Sequence, residues 1–431
     1  MKILLIYPRF RYPNIGGVQE PLGLLYIATV LKQAGNEVRF LDLSFRDELP
    51  DLCDEIEDIG FVGISSSTAL FGRAVQVLKA IKEKNPSVPV ALGGPHATAL
   101  PEETVRAGFD VAVIGEGEIT ALTLIESLSR EGALNDSVLA KIPAVAFRRG
   151  EAIVINSQRE FIPNLDLIPH PDRALINYQT YFSMGLKQAG VVAMRGCPFR
   201  CTYCKPMQEH LFGKKIRRRS PRDVAFEVDN IARNIVDRVL FRDDAFTTNS
   251  IEWFNELEKT FKELKTPLWG WVCQGRVDQV NPRLLDAMQS AGLKMIAFGV
   301  ESGSQKILDY YRKGITLEQT EKAFKLCKER GIATHAFVMV GAPIETWEDI
   351  EDTIELIERI QPNSVSPSIT TPAPGTELYD YALSDGSYNI VDWAESDYMS
   401  NARPLKLKHL SEEQVIKAKE ILSSMGLGYG E

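Results

Sequence analysis

Short apolar runs alternate with amphipathic stretches along most of the chain, and they fall into two series. In the first, residues 2–7, 38–43, 60–65, 88–92 and 111–114 are compact apolar runs with the length of buried strands. Between them lie stretches of helical spacing, 21–34 closed by Gly35 and 74–84 stopped before Pro86. This alternation predicts a parallel sheet with helices on both faces over residues 1–145. Residues 146–189 mix Pro163, Pro169 and Pro171 with polar residues and are expected to cross as a linker. The second series starts at 190–195 and continues through 239–242, 268–274, 295–300, 334–340 and 364–370. One intervening helix is capped by Ser220, with Pro221 in its first turn and Asp223 near its positive end. Val224, Val228 and Ile231 share its inner face; Phe254, Leu257, Phe261 and Leu264 stripe the next, and Ile350, Ile354 and Ile357 a later one. About six β/α units predict a partial barrel over 190–385, its strand carboxyl ends facing the active site. Residues 386–431, with Trp393, Tyr398 and a helix over 411–424, are expected to pack as a helical tail near the barrel mouth.

With 431 residues, 44 % apolar and 25 % charged, the chain has room for two domains of ordinary globular composition. No run of about 18 apolar residues occurs, so no membrane span is expected. The opening apolar run is ended by Pro8 and Arg9 and reads as a first strand rather than a targeting segment. A net charge of −9 argues against an extended nucleic-acid surface. The basic run 214–219 reads as a solvated loop, or as a segment facing an anionic substrate. Six cysteines in a chain of this size need not be staples, and they point to a reducing cytoplasm.

Ligands of such sheets sit at the carboxyl ends of the strands. There the first series places Ser65-Ser66-Ser67-Thr68, Gly93-Gly94-Pro95-His96 and Gly115-Glu116-Gly117-Glu118. Glycines admit a close backbone approach and hydroxyls supply donors. Any one of these reads as an ordinary turn; three at equivalent positions in one sheet are harder to dismiss as turns alone.

The most specific pattern is Cys197-Pro198-Phe199-Arg200-Cys201-Thr202-Tyr203-Cys204, spaced C-x3-C-x2-C. Three soft thiolates on one loop can each bind one iron of a cubane cluster, leaving the fourth iron open for a small molecule. A structural zinc site needs a fourth Cys or His at metal spacing, and His210 starts no such pair.

With an aromatic before its last cysteine, the motif resembles the signature of the radical S-adenosylmethionine (SAM) superfamily. That resemblance implies a 4Fe-4S cluster whose open iron is chelated by the methionyl group of SAM. It implies too that an electron from the cluster yields a 5′-deoxyadenosyl radical, which abstracts a substrate hydrogen. It assigns Asp243 and Asp244, after the second barrel strand, to the methionyl amine. Arg276 after the third is assigned to the SAM carboxylate or a substrate anion, and Glu301 with Ser302 after the fourth to the ribose or amine. Val340 and Gly341, in the stretch 337–345 after the fifth, and the main chain at Tyr203 are assigned to adenine. Cys273 is either a hydrogen-donor thiol or packing, and Cys53 and Cys327 are bystanders.

In the first half, Pro21-Leu22-Gly23-Leu24-Leu25-Tyr26-Ile27-Ala28, Gly93-Gly94-Pro95-His96 and Ile114-Gly115-Glu116-Gly117-Glu118 resemble the cobalamin-binding domain fused to many radical SAM enzymes. The resemblance places Ser65, Ser66, Gly93, Gly94, Gly115 and Glu116 at cobalamin. None of the five histidines stands in D-x-H-x-x-G, which supplies the lower cobalt ligand in many cobalamin proteins. The domain therefore binds cobalamin without that ligand or survives as a scaffold, and His96 is expected to be a loop hydrogen-bonder. The implied fold class is α/β: a doubly wound Rossmann-like sheet, then a partial (β/α)6 barrel and a small helical tail. The implied activity is methylation of an unactivated carbon or, as the alternative, cyclisation, rearrangement or oxidation without methyl transfer. A methylthiotransferase would need three more cluster cysteines in the first domain, which has only Cys53. The implied partners are a reducing electron donor such as flavodoxin or ferredoxin and a small-molecule substrate.

Overall fold

The computed structural model describes residues 1–8, 18–46, 52–157, 160–387, 393 and 407–426; Tyr398 lies outside them. The first sheet contains β1 (Lys2–Tyr7), β2 (Glu37–Asp42), β3 (Phe61–Ser65), β4 (Val90–Gly93), β5 (Val111–Val113), β6 (Val145–Arg149) and β7 (Ala152–Ile155). Its order is β2-β1-β3-β4-β5-β6-β7. Strands β1 to β5 pair in parallel. Burial on both faces explains the unbroken apolar run of β1: Leu4 and Ile6 enter one core, Ile3 and Leu5 the other.

β6 and β7 close the sheet as an antiparallel hairpin, so it extends to Ile155, past the expected boundary at 145. Gly150, at φ +60°, makes the turn. The exposed Arg148, Arg149 and Glu151 hid this hairpin among polar residues.

The second sheet is fully parallel and sequential. β8 (Ala189–Val191) pairs with β11 (Arg238–Phe241), followed in order by β12 (Gly270–Gly275), β13 (Leu293–Glu301), β14 (Ala333–Val340) and β15 (Ser364–Ile369), six strands in all. β9 (Met194–Arg195) and β10 (Arg217–Arg218) form a separate antiparallel ribbon. The single strand expected over 190–195 is thus broken. The cause is Asp243, whose Oδ1 accepts the N–H groups of Ala193 and Met194 and draws the chain out of the sheet. Stacked and edge-on rings of Phe241, Phe246, Phe254 and Trp271 fill the space behind β11 and β12.

The tail does two jobs. Its helix Glu412–Ser423, started by a capping box at Ser411, adds Val415, Ala418 and Leu422 to the barrel core. Trp393, by contrast, is buried in the core of the first domain beside Ala382. No helix among the described residues is long and apolar enough to cross a membrane.

Candidate functional site

A first cavity of about 420 Å³ opens at the carboxyl ends of the first sheet. Ser65, Gly93, Gly94, Gly115 and Glu116 line it, with Ser67 and Gly117 beside them. Its deep part is apolar: Leu5, Phe61, Ala91 and Val113 from the sheet face Leu24, Ile27 and Leu31 of helix Leu22–Gln33. Gly94 is sterically required, and Gly117 is crowded by a side chain. A Cβ on Gly94, which sits at φ +94°, would lie 2.8 Å from the Ser66 carbonyl, and one on Gly117 would lie 2.8 Å from Ile27 Cδ1. Thr98 joins two of these loops, donating to the Gly94 carbonyl at 2.9 Å and accepting the Gly115 N–H at 2.9 Å.

Ser66 lies outside the lining; it is buried, and its hydroxyl donates to the Ser67 carbonyl. His96 also faces away. Its ring stacks on Phe71 with centroids 3.7 Å apart, and its Nδ1 is 3.4 Å from the Thr68 hydroxyl. Burial pushes its pKa down to about 3, so it is a neutral packing group.

The second cavity, of about 400 Å³, lies at the barrel's strand ends and gathers Cys197, Cys201 and Cys204 with Tyr203, Asp244, Arg276 and Glu301. Among the described residues no three His, Cys, Asp or Glu side chains converge on one point as a single ion requires. A cubane instead spreads its three thiolates over three irons, so cysteines lining a common wall suit a cluster better than a lone ion. Burial raises the thiols of Cys197 and Cys204, the latter to about 12, so their thiolate form depends on the metal they bind.

The cysteine loop is held from three sides. The Thr202 N–H donates to the Tyr311 carbonyl, and the N–H groups of Glu377 and Leu378 donate to the carbonyls of Lys205 and Thr202. Buried Lys205 donates to the Cys197 carbonyl at 2.8 Å and to Gln208 Oε1 at 2.5 Å, closing the loop on itself. Gly196, at φ +94°, lets the loop pass directly over the Lys215 carbonyl, where any Cβ would collide.

Glu301 sits at φ +65°, in a β-bulge where β13 slips against β14. Its carboxylate accepts from Lys313 Nζ at 2.6 Å and from the Tyr203 hydroxyl at 3.0 Å. Asp244 accepts from Gln208 at 2.8 Å, and burial raises its carboxyl above the ordinary value.

Other residues assigned to SAM stand elsewhere. Asp243 is buried at the β8–β9 break, and Ser302 is buried beside the Thr353 hydroxyl at 3.2 Å. Val340 and Gly341 lie off the lining, which takes Phe337 and Met339 instead. Strand parity explains this: along β14 Ala336, Val338 and Val340 point into the core, so Phe337 and Met339 point to the cavity. Cys273 and Cys327 are buried packing groups outside the lining.

Between the cavities stands helix Met207–Phe212, which immediately follows the cysteine loop. Gln208 faces the second cavity, and Leu211 and Phe212 face the first. Beside it lies a buried ionic clasp. Arg195, two residues before Cys197, donates to Glu116 at 3.0 Å and to Glu118 at 2.5 Å. Arg217 donates to Glu116 at 2.7 and 3.0 Å, and the Ile162 N–H reaches the same carboxylate at 3.1 Å. Two members of the basic run are therefore structural, Arg217 here and Arg219 buried against Glu227 and Asp223, while Lys214, Lys215 and Arg218 are exposed. Lys205, Gln208, Lys313 and Arg195 were missed because each is a lone polar residue outside any motif. Only their burial reveals them.

Two family models match the chain: the B12 binding domain over residues 10–125 and the radical SAM superfamily over 191–357. An uncharacterized methyltransferase of Pyrococcus horikoshii is 31 % identical over 97 % of this chain and 90 % of its own. An anaerobic magnesium-protoporphyrin IX monomethyl ester cyclase of Rubrivivax gelatinosus is 27 % identical over 88 % of this chain and 69 % of its own. Among solved structures, the radical S-adenosylmethionine methyltransferase TsrM of Kitasatospora setae, with cobalamin and a 4Fe-4S cluster bound, superposes with a TM-score of 0.77. It is 19 % identical and matches 97 % of this chain and 84 % of TsrM.

Proposed function

The chain belongs to the radical SAM superfamily and carries an N-terminal B12-binding domain, and from that premise we propose that it methylates an unactivated carbon of a small molecule. One observation carries the reading: helix Met207–Phe212 walls both cavities, so two reactive centres held in them would flank a single short element. The similarity to proteins described as methyltransferases points the same way.

Both implied cofactors find suitable residues. Cys197, Cys201 and Cys204 would each hold one iron of the cluster. Asp244 and Glu301 offer acceptors to the ammonium of SAM, and Lys313 offers a cation to its carboxylate. Phe337 and Met339 offer apolar surface to adenine. In the first cavity, the glycine cradle and the serines at 65 and 67 would meet the polar part of cobalamin. The deep apolar slot is sized for an appendage of that cofactor, not for the whole of it. When bound, the cluster supplies the electron that cleaves SAM to a 5′-deoxyadenosyl radical, and cobalamin supplies a methyl carrier. The protein's own part is positioning: the clasp and the Lys205 closure hold the loop, and apolar walls limit water.

The test is cobalt retained after anaerobic reconstitution with iron, sulfide and hydroxocobalamin, compared with Ala121→Trp, which fills the slot. About one cobalt per chain in the wild type and little in the variant, with SAM cleavage intact in both, is expected. Equal cobalt in the two proteins would misplace the cofactor. No cobalt in either would favour the cyclase-like alternative, chemistry without methyl transfer.

A further inference from the structure

Arg276 lines the second cavity, yet its guanidinium is committed to protein partners. Nε and Nη2 form a fork onto Asp278 at 3.0 and 3.2 Å, and Nη2 also donates to the Lys313 carbonyl at 2.8 Å. The remaining nitrogen, Nη1, points at Cys201 Sγ, 3.7 Å away. The guanidinium carbon lies 3.8 Å from the ring centroid of Phe199, another residue of the cysteine loop. The side chain is only 9 % exposed. Five N–H donors in a fixed fork leave little for a substrate carboxylate once four contacts are made. Arg276 is instead clamped at one end and delivered at the other onto the Cys201 sulfur.

We propose that Arg276 sets the reduction potential of the cluster, by donating an N–H to the Cys201 thiolate, and does not anchor SAM. This rests on the reading of Cys197, Cys201 and Cys204 as cluster ligands. The reaction is a one-electron reduction: a low-potential external reductant loses one electron, the cluster gains it, and no bond or proton moves. Reduction makes the cluster and its three thiolates one unit more negative. A cationic donor at a ligand sulfur stabilises that more negative state and raises the potential. Asp278 moderates the effect, because its carboxylate offsets the guanidinium charge at about 3 Å.

Opposite shifts follow from the two ends of one clamp. Arg276→Met should lower the midpoint potential, and Asp278→Asn should raise it by leaving the guanidinium charge less compensated. A merely structural role would move both in the same direction. The experiment is an anaerobic potentiometric titration of reconstituted protein without SAM, read by the electron paramagnetic resonance of the reduced cluster, with iron counted on each sample. Poised at the wild-type midpoint, Arg276→Met should be less than half reduced and Asp278→Asn more than half. Wild type that takes up no iron would fail the cluster reading itself. Full iron with an unshifted midpoint in Arg276→Met, or shifts of one sign in both variants, would overturn the role of Arg276 alone. A large loss of SAM affinity in Arg276→Met with no shift in potential would restore it as a SAM anchor. Should Arg276→Met not hold iron, Asp278→Asn decides by itself, and no rise there overturns the proposal.

Discussion

Replacing Arg195 by leucine should cost more than replacing its partner Glu118, and the cost should depend on pH in a direction opposite to the usual one. Glu118 is buried and takes its side-chain hydrogen bond from Arg195 at 2.5 Å. Glu116 keeps Arg217 and the Ile162 N–H if Arg195 is lost. Arg195→Leu therefore strands one buried carboxylate, a change that costs about 3–5 kcal/mol when a partner is removed from a buried pair. Glu118→Gln strands nothing charged, because Arg195 retains Glu116, and should cost about 1–3 kcal/mol as a lost charge-assisted bond. The double variant should then be more stable than Arg195→Leu alone, a coupling between neighbours of the kind that double-mutant cycles resolve.

The pH dependence follows from the same group. Burial alone would push the Glu118 carboxyl up, and the Arg195 guanidinium beside it pulls it below its ordinary value of 4.5. In the wild type this contributes stability above the unfolded value, lost as pH falls through the lower folded one. Without Arg195, burial is opposed only by a backbone hydrogen bond and the charge of Arg217 and the folded value rises, so the variant should lose stability as pH increases past roughly 4.5. Urea unfolding by circular dichroism at pH 5 and 7.5 measures both effects. A variant equally destabilised at the two pH values, or a double variant no more stable than Arg195→Leu, would refute the account.

Four further outcomes are expected. Alanine at Cys197, Cys201 or Cys204 should abolish cluster-dependent SAM cleavage, and cleavage retained by any of the three would remove the central assignment. Glu301→Ala should weaken SAM binding about tenfold or more, the loss of one charge-assisted contact, with iron content unchanged; equilibrium dialysis measures it. Gly94→Ala, forced to φ +94° against the Ser66 carbonyl, should cost about 1–2 kcal/mol and reduce cobalt retention. Burial pushes the Glu345 carboxyl up to about 7, with the Gly341 and Ala342 N–H groups pulling partly back. Its folded value exceeds the unfolded one, so stability should fall between about pH 4.5 and 7, a slope that Glu345→Gln removes in urea midpoints.

Much of the molecule was legible because its signals are local. In the first sheet β1 and β3 to β5 read as unbroken apolar runs because both of their faces are buried, so no alternation competes there. The cysteine loop is legible because metal chemistry needs those residues at that spacing. What was hidden depends on direction. Asp243 and Asp244 are adjacent, and only the fold shows that the first pins the main chain while the second faces the cavity. The same parity separates Phe337 and Met339 from Val340. Glu116 sits in the expected loop at the expected cavity, but its carboxylate is engaged by two arginines from the other domain, a pairing that no run of residues encodes. The β6–β7 hairpin was read as linker because its outer positions are charged.

The burial of Trp393 in the first domain bears on the order of assembly during synthesis. The strands of that domain are complete by Ile155, yet a large side chain of their core arrives only after the whole barrel has been made. At typical synthesis rates of roughly 5–20 residues per second, the intervening ~240 residues take about 10–50 s. Throughout that interval the nascent first domain would lack one apolar side chain of its core cluster. A chaperone that recognises exposed apolar surface would find its target there, and release would coincide with the tail docking.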